Sequence, residues 1–440
     1  MTDWEFLQLT PFDKGCDKVV FTNSWLVQGS IDTRKLSAAL DIVTDRWRLL
    51  AGRLEQGAKP NTWRVRYPKG DIPKDHRRYA LTTATSDASV SDYVTLPLPI
   101  VSPHPPISLT MAPSTPKSAR GYATSQHPII SIHITTLSDN HSFVGFTIPH
   151  GVFDATGMAF VHQVVDAEFS GREWTPPMYP NALSEALEAH AVQPSSMSFY
   201  YKVTTFSKFV GRCLYDTFWH GITARLVVVP EAVHLGLVKQ VRDSLDIPVT
   251  SSDILAAWLF KTLCSRGPAN RSLRLLTYSS FRPFFPNMAT YPHNAFMRVW
   301  YPQTTAGELA QRSLSELALI VYQTRQALGQ KDALAAHDDI ASGSLLDIMA
   351  QGGDCKGAGG TFWVNNCSAQ RSPELTWPGV DTVNWASRYL TTDTGIEMSD
   401  ALTIMGRLNG DLMIHITVSN EKLAVLQGEI ERLVSEGFEK

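Results

Sequence analysis

The sequence predicts a mixed α/β (α+β) protein built as two lobes. Three observations lead there. With 440 residues the chain exceeds the size at which a single hydrophobic core keeps growing, so more than one domain is expected. Period-two and period-3.6 apolar patterns are mixed throughout, without the strict strand–helix–strand alternation of a doubly wound parallel sheet. The two halves also share length and strand–helix texture, which hints at structural duplication, although no sequence repeat is present. The expected division is an N-terminal lobe over residues 1–180, a crossover over 181–222 and a C-terminal lobe over 223–440.

From the N-terminus, Thr10-Pro11-Phe12-Asp13 precedes an alternating strand around Val19 to Trp25. Leu36, Ala39, Leu40, Val43, Trp47 and Leu50 then fall on one helical face. Gly52, in Leu50-Ala51-Gly52-Arg53-Leu54, suits a C-terminal stop. Thr62 to Tyr67 alternates like a half-exposed strand, and the Pro- and Ser-rich text from Ser102 to Gln126 reads as loop. Two strands flank Ser138-Asp139-Asn140, the second running from Ser142 to Ile148. Between Pro176 and His220 the pattern breaks into a proline-rich run, a short helix and an aromatic-rich segment, which is the expected crossover. The second half reopens with a strand from Ala224 to Val229 and a helix from Pro230 to Ser244. A long helix is expected from the capping box of Thr305 and Glu308 to about Leu328. Gly343 to Gly360 is glycine-rich but fits no phosphate-cradling loop, because no Lys-Ser/Thr follows. Leu412, Ile414, Ile416 and Val418 alternate into a last helix carrying Leu423, Leu426, Ile430 and Leu433.

Composition narrows the function classes. A hydrophobic content of 43% with 18% charged residues suits an ordinary soluble enzyme. A net charge of -3 without a Lys/Arg cluster leaves no footprint for nucleic acid. Five widely spaced cysteines, odd in number and without C-x-x-C, read as reduced thiols rather than a disulfide frame or zinc site. The opening Met1-Thr2-Asp3-Trp4-Glu5 lacks a secretory apolar core, and no run approaches the ~20 apolar residues that span a bilayer. The expectation is a soluble, cytoplasmic monomer with no membrane or nucleic-acid partner.

The most informative stretch is Ile148-Pro149-His150-Gly151-Val152-Phe153-Asp154-Ala155-Thr156-Gly157. An alternating strand ends at a proline and delivers one histidine. Asp154 follows four residues later, and Phe160, Val161, Val164 and Val165 continue with helical spacing. Strand, sharp turn and helix would aim His150 from a rigid scaffold, and an imidazole that titrates near neutrality is the commonest general base. The plainer reading is a core-edge histidine beside a helix-capping aspartate. A metal site joining His133 and His141 to His150 and Asp154 is disfavoured, since no Cys or Glu helps. Neither a G-x-S-x-G elbow nor a Walker loop occurs, which disfavours serine hydrolysis and nucleotide-dependent transfer.

Several segments together resemble the BAHD acyltransferases, which share their fold with chloramphenicol acetyltransferase and condensation domains. Thr10-Pro11-Phe12-Asp13 looks like the family's N-terminal opening, and Leu50-Ala51-Gly52-Arg53-Leu54 matches its L-A-G-R-L. His150 to Asp154 is the H-x-x-x-D signature, about a third of the way along. Thr250 to Trp258 looks like the helix opening of the second domain, and Arg282 with Tyr291-Pro292-His293-Asn294 resembles the family's arginine and Y-F-G-N. The C-terminal D-F-G-W-G survives only as Asp393-Thr394-Gly395. The departures are Ala155 after the aspartate, His293 for a glycine, and Val383 where many members carry a hydroxyl residue. The divergence looks like that of fungal secondary-metabolite members. Pro149 stands where condensation domains carry a second histidine, which favours a standalone enzyme.

The resemblance implies two chloramphenicol-acetyltransferase-like domains, each a mixed sheet with helices, around a central tunnel. An acyl-CoA co-substrate and a small-molecule acceptor would meet at His150, the general base, with no metal or other cofactor. Asp154, grouped with His150 in the catalytic motif, would pair with Arg282 to fix the turn. Asn384 or the Trp385 indole would stabilise the oxyanion, and the pantetheine arm would pass Ser251, Ser252 and Asn294. Asp393, far from the histidine, and Gly395 would be structural. Two other classes stay open. One keeps the fold and His150 but has lost CoA, and cyclises, eliminates or isomerises a metabolite. The other is a non-catalytic binding protein.

Overall fold

The computed structural model describes residues 3–58, 62–180, 182–192, scattered positions between 200 and 219, 221–341, 360–380, 382–393 and 399–437. Among these residues the strands form three sheets. The small one joins β1 (Trp4–Gln8), β3 (Arg53–Gln56) and β4 (Trp63–Pro68). The second has the order β14 (Thr382–Thr392), β2 (Val19–Gln28), β8 (His141–Pro149), β7 (Ser131–Thr136), β5 (Ala80–Thr85). The largest runs β11 (Phe296–Trp300), β10 (Ser272–Ser280), β13 (Gly360–Asn366), β15 (Ala401–Leu408), β16 (Asp411–Ser419), β9 (Ile222–Val229), β6 (Val101–Pro103), with β12 (Thr304–Thr305) beside β10. Parallel and antiparallel pairs are mixed, so the fold is the α/β (α+β) class expected.

Each large sheet borrows a strand from the other half of the chain. β14 pairs antiparallel along the length of β2, and β6 pairs with β9. β2 is buried on both faces from Val20 to Val27, the polar Thr22, Asn23 and Ser24 included. Leu26, Phe143, Trp385, Leu226 and Met413 fill the space between the two large sheets.

The helices are α1 (Pro11–Lys14), α2 (Thr33–Arg46), α3 (Ala119–Ser125), α4 (Ala155–Phe169), α5 (Ala182–Ala189), α6 (Glu231–Asp243), α7 (Ser251–Cys264), α8 (Ala306–Gln311), α9 (Leu314–Gln326), α10 (Gln330–Ala341) and α11 (Asn420–Glu436). α2 buries Leu36, Ala39, Leu40 and Val43, and its cap Asp32 accepts from the amides of Arg34 and Lys35 at 3.0 Å. None of the described helices is long and apolar enough to cross a membrane.

Three local expectations are corrected. Gly52 adopts extended backbone rather than a left-handed cap; a Cβ there would lie 2.6 Å from Val65 and 2.8 Å from the Leu49 carbonyl, so the glycine serves close packing. The long helix after Thr305 is two helices, because Ser313 and Glu316 form a second capping box that starts α9 afresh. The Ser102 to Gln126 loop contains α3, capped by Ser118. Most of Gly343 to Gly360, and much of the crossover, lie outside the described residues.

Candidate active site

β8 ends at Pro149, and the His150 amide donates to the Val19 carbonyl at 3.0 Å, pinning the residue at the sheet's end. The imidazole Nδ1 lies 3.1 Å from the Phe153 carbonyl. A carbonyl only accepts, so Nδ1 carries the proton and Nε2 keeps the lone pair. The ring packs against Phe21, at 4.0 Å between centroids, and Phe296, at 5.8 Å. Burial pushes His150 down to about 4, against the pull of nearby Asp154 and the Phe153 carbonyl, so it is neutral at pH 7.

Asp154 caps α4, its Oδ1 accepting from the Gly157 amide at 2.9 Å. Both oxygens also face Arg282, with Nη2 2.9 Å from Oδ1 and Nη1 2.9 Å from Oδ2, and Oδ2 accepts from the Ala295 amide at 3.1 Å. Arg282 further donates to the carbonyls of Tyr291 and His293 at 2.8 Å. The pair is buried, forked and saturated. Asp154 thus combines the plainer capping role with the ion pair. Its carboxylate is occupied by Arg282 and by the amides of Gly157 and Ala295.

Asn294 is placed otherwise than expected. It is fully buried, and its side-chain amide donates to Asp13 Oδ1 at 2.8 Å and to the His150 carbonyl at 2.7 Å. The NH₂ is therefore used inside the protein, beneath the histidine. Asp13 also accepts from the Asn294 backbone amide at 3.0 Å and from Thr10 at 2.8 Å. Thr10 and Asp13 thus hold Asn294, which in turn bonds the histidine's carbonyl, a role that their spacing in the sequence does not disclose. His293 bonds the Val152 carbonyl through Nδ1 at 2.7 Å and stacks on Phe153.

The oxyanion candidates are not brought to His150. Trp385 pairs with Leu26 whereas Thr392 pairs with Val19, so the indole sits roughly 20 Å along β14 from the histidine's end of the sheet. It is a core aromatic beside Phe143 and His104, and Asn384 stands at the adjoining bulge. Asp393, which the sequence reading put far from the histidine, follows Thr392 at the same sheet end as His150. Gly395 lies outside the described residues. Ser251 and Ser252 form the first turn of α7, Ser251 near Arg242 and Ser252 bonded to Asn366 at 2.9 Å. His141 begins β8, roughly 30 Å from His150, and His133 faces Gly145 in mid-sheet, so these histidines do not converge.

Sequence reasoning also passed over Arg388. It is buried on β14, directly opposite Asn23, with its guanidinium 5.4 Å from the Phe21 ring centroid. A lone charge inside the uncharged text of Ala386 to Thr392 was the available signal.

No family model matches the chain. By sequence it is 24% identical to "Transcriptional regulator calD" of Penicillium decumbens over 60% of this chain and 57% of that one. It is 27% identical to "O-acyltransferase pboC" of Aspergillus ustus (60% and 54%) and 25% identical to "Acetyltransferase adrJ" of Penicillium roqueforti (67% and 65%). The chain thus spans between about half and two thirds of these relatives. By structure it resembles F. sporotrichioides TRI101 complexed with coenzyme A and T-2, with TM-score 0.63, 12% identity and coverage of 98% and 97%. It also resembles polyketide synthase associated protein 5 from Mycobacterium tuberculosis (0.62, 12%, 98% and 98%) and vinorine synthase (0.60, 11%, 97% and 93%). The chain thus shares the fold of these solved structures, and two of its sequence relatives are named as acyltransferases.

Proposed function

We propose that this chain is a BAHD-type acyltransferase that moves an acyl group from acyl-CoA to a hydroxyl or amine of a small secondary metabolite. The observation that carries the reading is the disposition of His150. Its Nδ1 proton is held by the Phe153 carbonyl, its ring is kept neutral by burial, and its backbone is clamped from both sides. That leaves Nε2 as the proton acceptor. His150 would remove the acceptor's proton as its oxygen or nitrogen attacks the thioester carbon, and would return it to the departing thiolate. No acyl-enzyme forms. Asp154 and Arg282 hold the turn that aims the ring. The pantetheine arm would run past the first turn of α7 at Ser251 and Ser252, and the protein would work as a soluble cytoplasmic monomer. Support comes from relatives named acyltransferases and from a structural neighbour solved with coenzyme A.

Thiol release from a panel of acyl-CoA donors, with metabolite extracts as acceptors, tests the reading. Acceptor-dependent thiol release that disappears in His150→Ala is the expected result. Metabolite turnover at full rate without a thioester would replace it with cyclisation or isomerisation on the same base, and ligand binding without turnover would leave only a binding protein.

A further inference from the structure

We propose that His293 is a positioning residue for His150, fixing the carbonyl that holds the imidazole proton. That carbonyl belongs to Phe153 and lies 3.1 Å from His150 Nδ1. Its direction is set by whatever fixes the backbone on either side of it. On the far side stands Asp154, tied to Arg282 and to the Ala295 amide. On the near side is the peptide joining Val152 to Phe153, whose carbonyl accepts from His293 Nδ1 at 2.7 Å. A carbonyl only accepts, so His293 Nδ1 carries the proton and its Nε2 the lone pair. That Nε2 is buried and meets no hydrogen-bond partner among the described residues, so the Val152 bond is the ring's one polar tie.

The same ring closes a box of four aromatic side chains. His293 stacks on Phe153, with 5.6 Å between centroids and 14° between planes. Phe153 packs edge-on against Trp47 at 6.1 Å, the Trp47 indole N–H donates to the Tyr179 hydroxyl, and Tyr179 returns to His293 at 5.6 Å. Phe153 and His293 are enclosed, 0% and 1% exposed. The Phe153 side chain therefore cannot turn without displacing His293, and its main chain cannot turn without breaking the Val152 bond. A glycine, which the BAHD acyltransferases carry at the matching place, would supply neither contact. Loss of the hold leaves His150 free to carry its proton on Nε2, the form in which that nitrogen cannot accept one from a substrate. The words base and substrate rest on the acyl-transfer reading; the place of the proton does not.

The test reads the proton itself, which a merely structural role for His293 would not move. In protein carrying nitrogen-labelled histidine, long-range proton–nitrogen spectra at neutral pH distinguish a protonated ring nitrogen from a bare one. The signal lost in His150→Ala identifies His150. The wild type should hold this proton on Nδ1. His293→Phe keeps a ring against Phe153 without the donor, and should shift a large part of the His150 population to the Nε2–H form. His293→Asn returns a side-chain N–H to the Val152 carbonyl and should lie nearer the wild type. Where thiol release is measured, His293→Phe should lower kcat by about tenfold at unchanged KM. If His293→Phe fails to fold, His293→Gly removes both contacts and is read against His293→Asn in the same way. Three results overturn the inference: a wild-type proton on Nε2, an unaltered His150 in folded His293→Phe or His293→Gly, or an equal shift in His293→Asn and the variant without a donor. Absence of thiol release from the wild type removes the acyl-transfer reading alone and leaves the position of the proton standing.

Discussion

His150 owes its proposed chemistry more to burial than to the charges of Asp154 and Arg388 near it. The Phe153 carbonyl fixes the tautomer, and Phe21 with Phe296 removes water, so burial holds the group near 4 and the ring stays in its base form across the physiological range. His150→Ala is expected to lower turnover by about 10²–10⁴ while leaving the unfolding midpoint unchanged; full turnover in a folded variant removes the catalytic role. The pH profile gives a second check. The required form is the neutral one, so kcat/KM should stay level from pH 7 down to 5 and fall only as the pH approaches 4. A fall centred near 6.5 would mean an ordinary exposed histidine. Asp154 acts differently. Asp154→Ala leaves the buried Arg282 charge unpaired and should cost about 3–5 kcal/mol in denaturant unfolding. Asp154→Asn keeps the size and one carbonyl acceptor and should be milder. Equal losses in the two variants would show that charge contributes little there.

Elements matter here mainly through how closely they approach one another. α4 begins at Asp154, and its first turn is pressed onto the segment from Tyr291 to Ala295. A Cβ on Gly157 would stand 1.7 Å from the Pro292 carbonyl, so no side chain fits unless the two segments part. That is why a glycine belongs one turn into the helix, while Ala155, directly after the aspartate, is tolerated half-buried. Gly157→Ala is expected to destabilise by about 1–3 kcal/mol through overpacking, and to lower kcat/KM through the shifted turn. Wild-type stability in that variant would show that the contact relaxes freely. The break between α8 and α9 was written in the chain as Ser313 and Glu316, but a continuing apolar period masked it. A capping box tells where a helix can start, whereas packing decides whether the previous one stops.

At the scale of the whole molecule, buried neutral imidazoles set the acid limit. His150, His127 and His415 are held near 4 and His162 near 3, chiefly by burial, against 6.5 when exposed. Their folded values lie below the unfolded one, so between these pH values the unfolded chain binds more protons. The stability they permit is complete above about 6.5 and is lost progressively as pH falls toward 4, each group contributing up to about 1.4 kcal/mol per pH unit. Burial raises Asp13, which acts in the opposite sense above its ordinary 3.8, but it is one carboxyl against four rings. Urea midpoints should therefore drop steeply between pH 6 and 4.5; a flat profile there would mean that these rings protonate freely. The sequence by itself determined the class of fold, the helix faces and the strand–turn–helix that carries His150, because local period and turn chemistry are written in neighbouring residues; the pairing of Asp154 with Arg282 came from the family resemblance alone. Only the tertiary structure decided that Trp385 sits far along β14 from the histidine, that Asp393 lies at its end, that Asn294 clamps backbone, and that Asn23 and Arg388 meet. These depend on which strand pairs with which and in what register, a choice made by burial over hundreds of residues that no local pattern records.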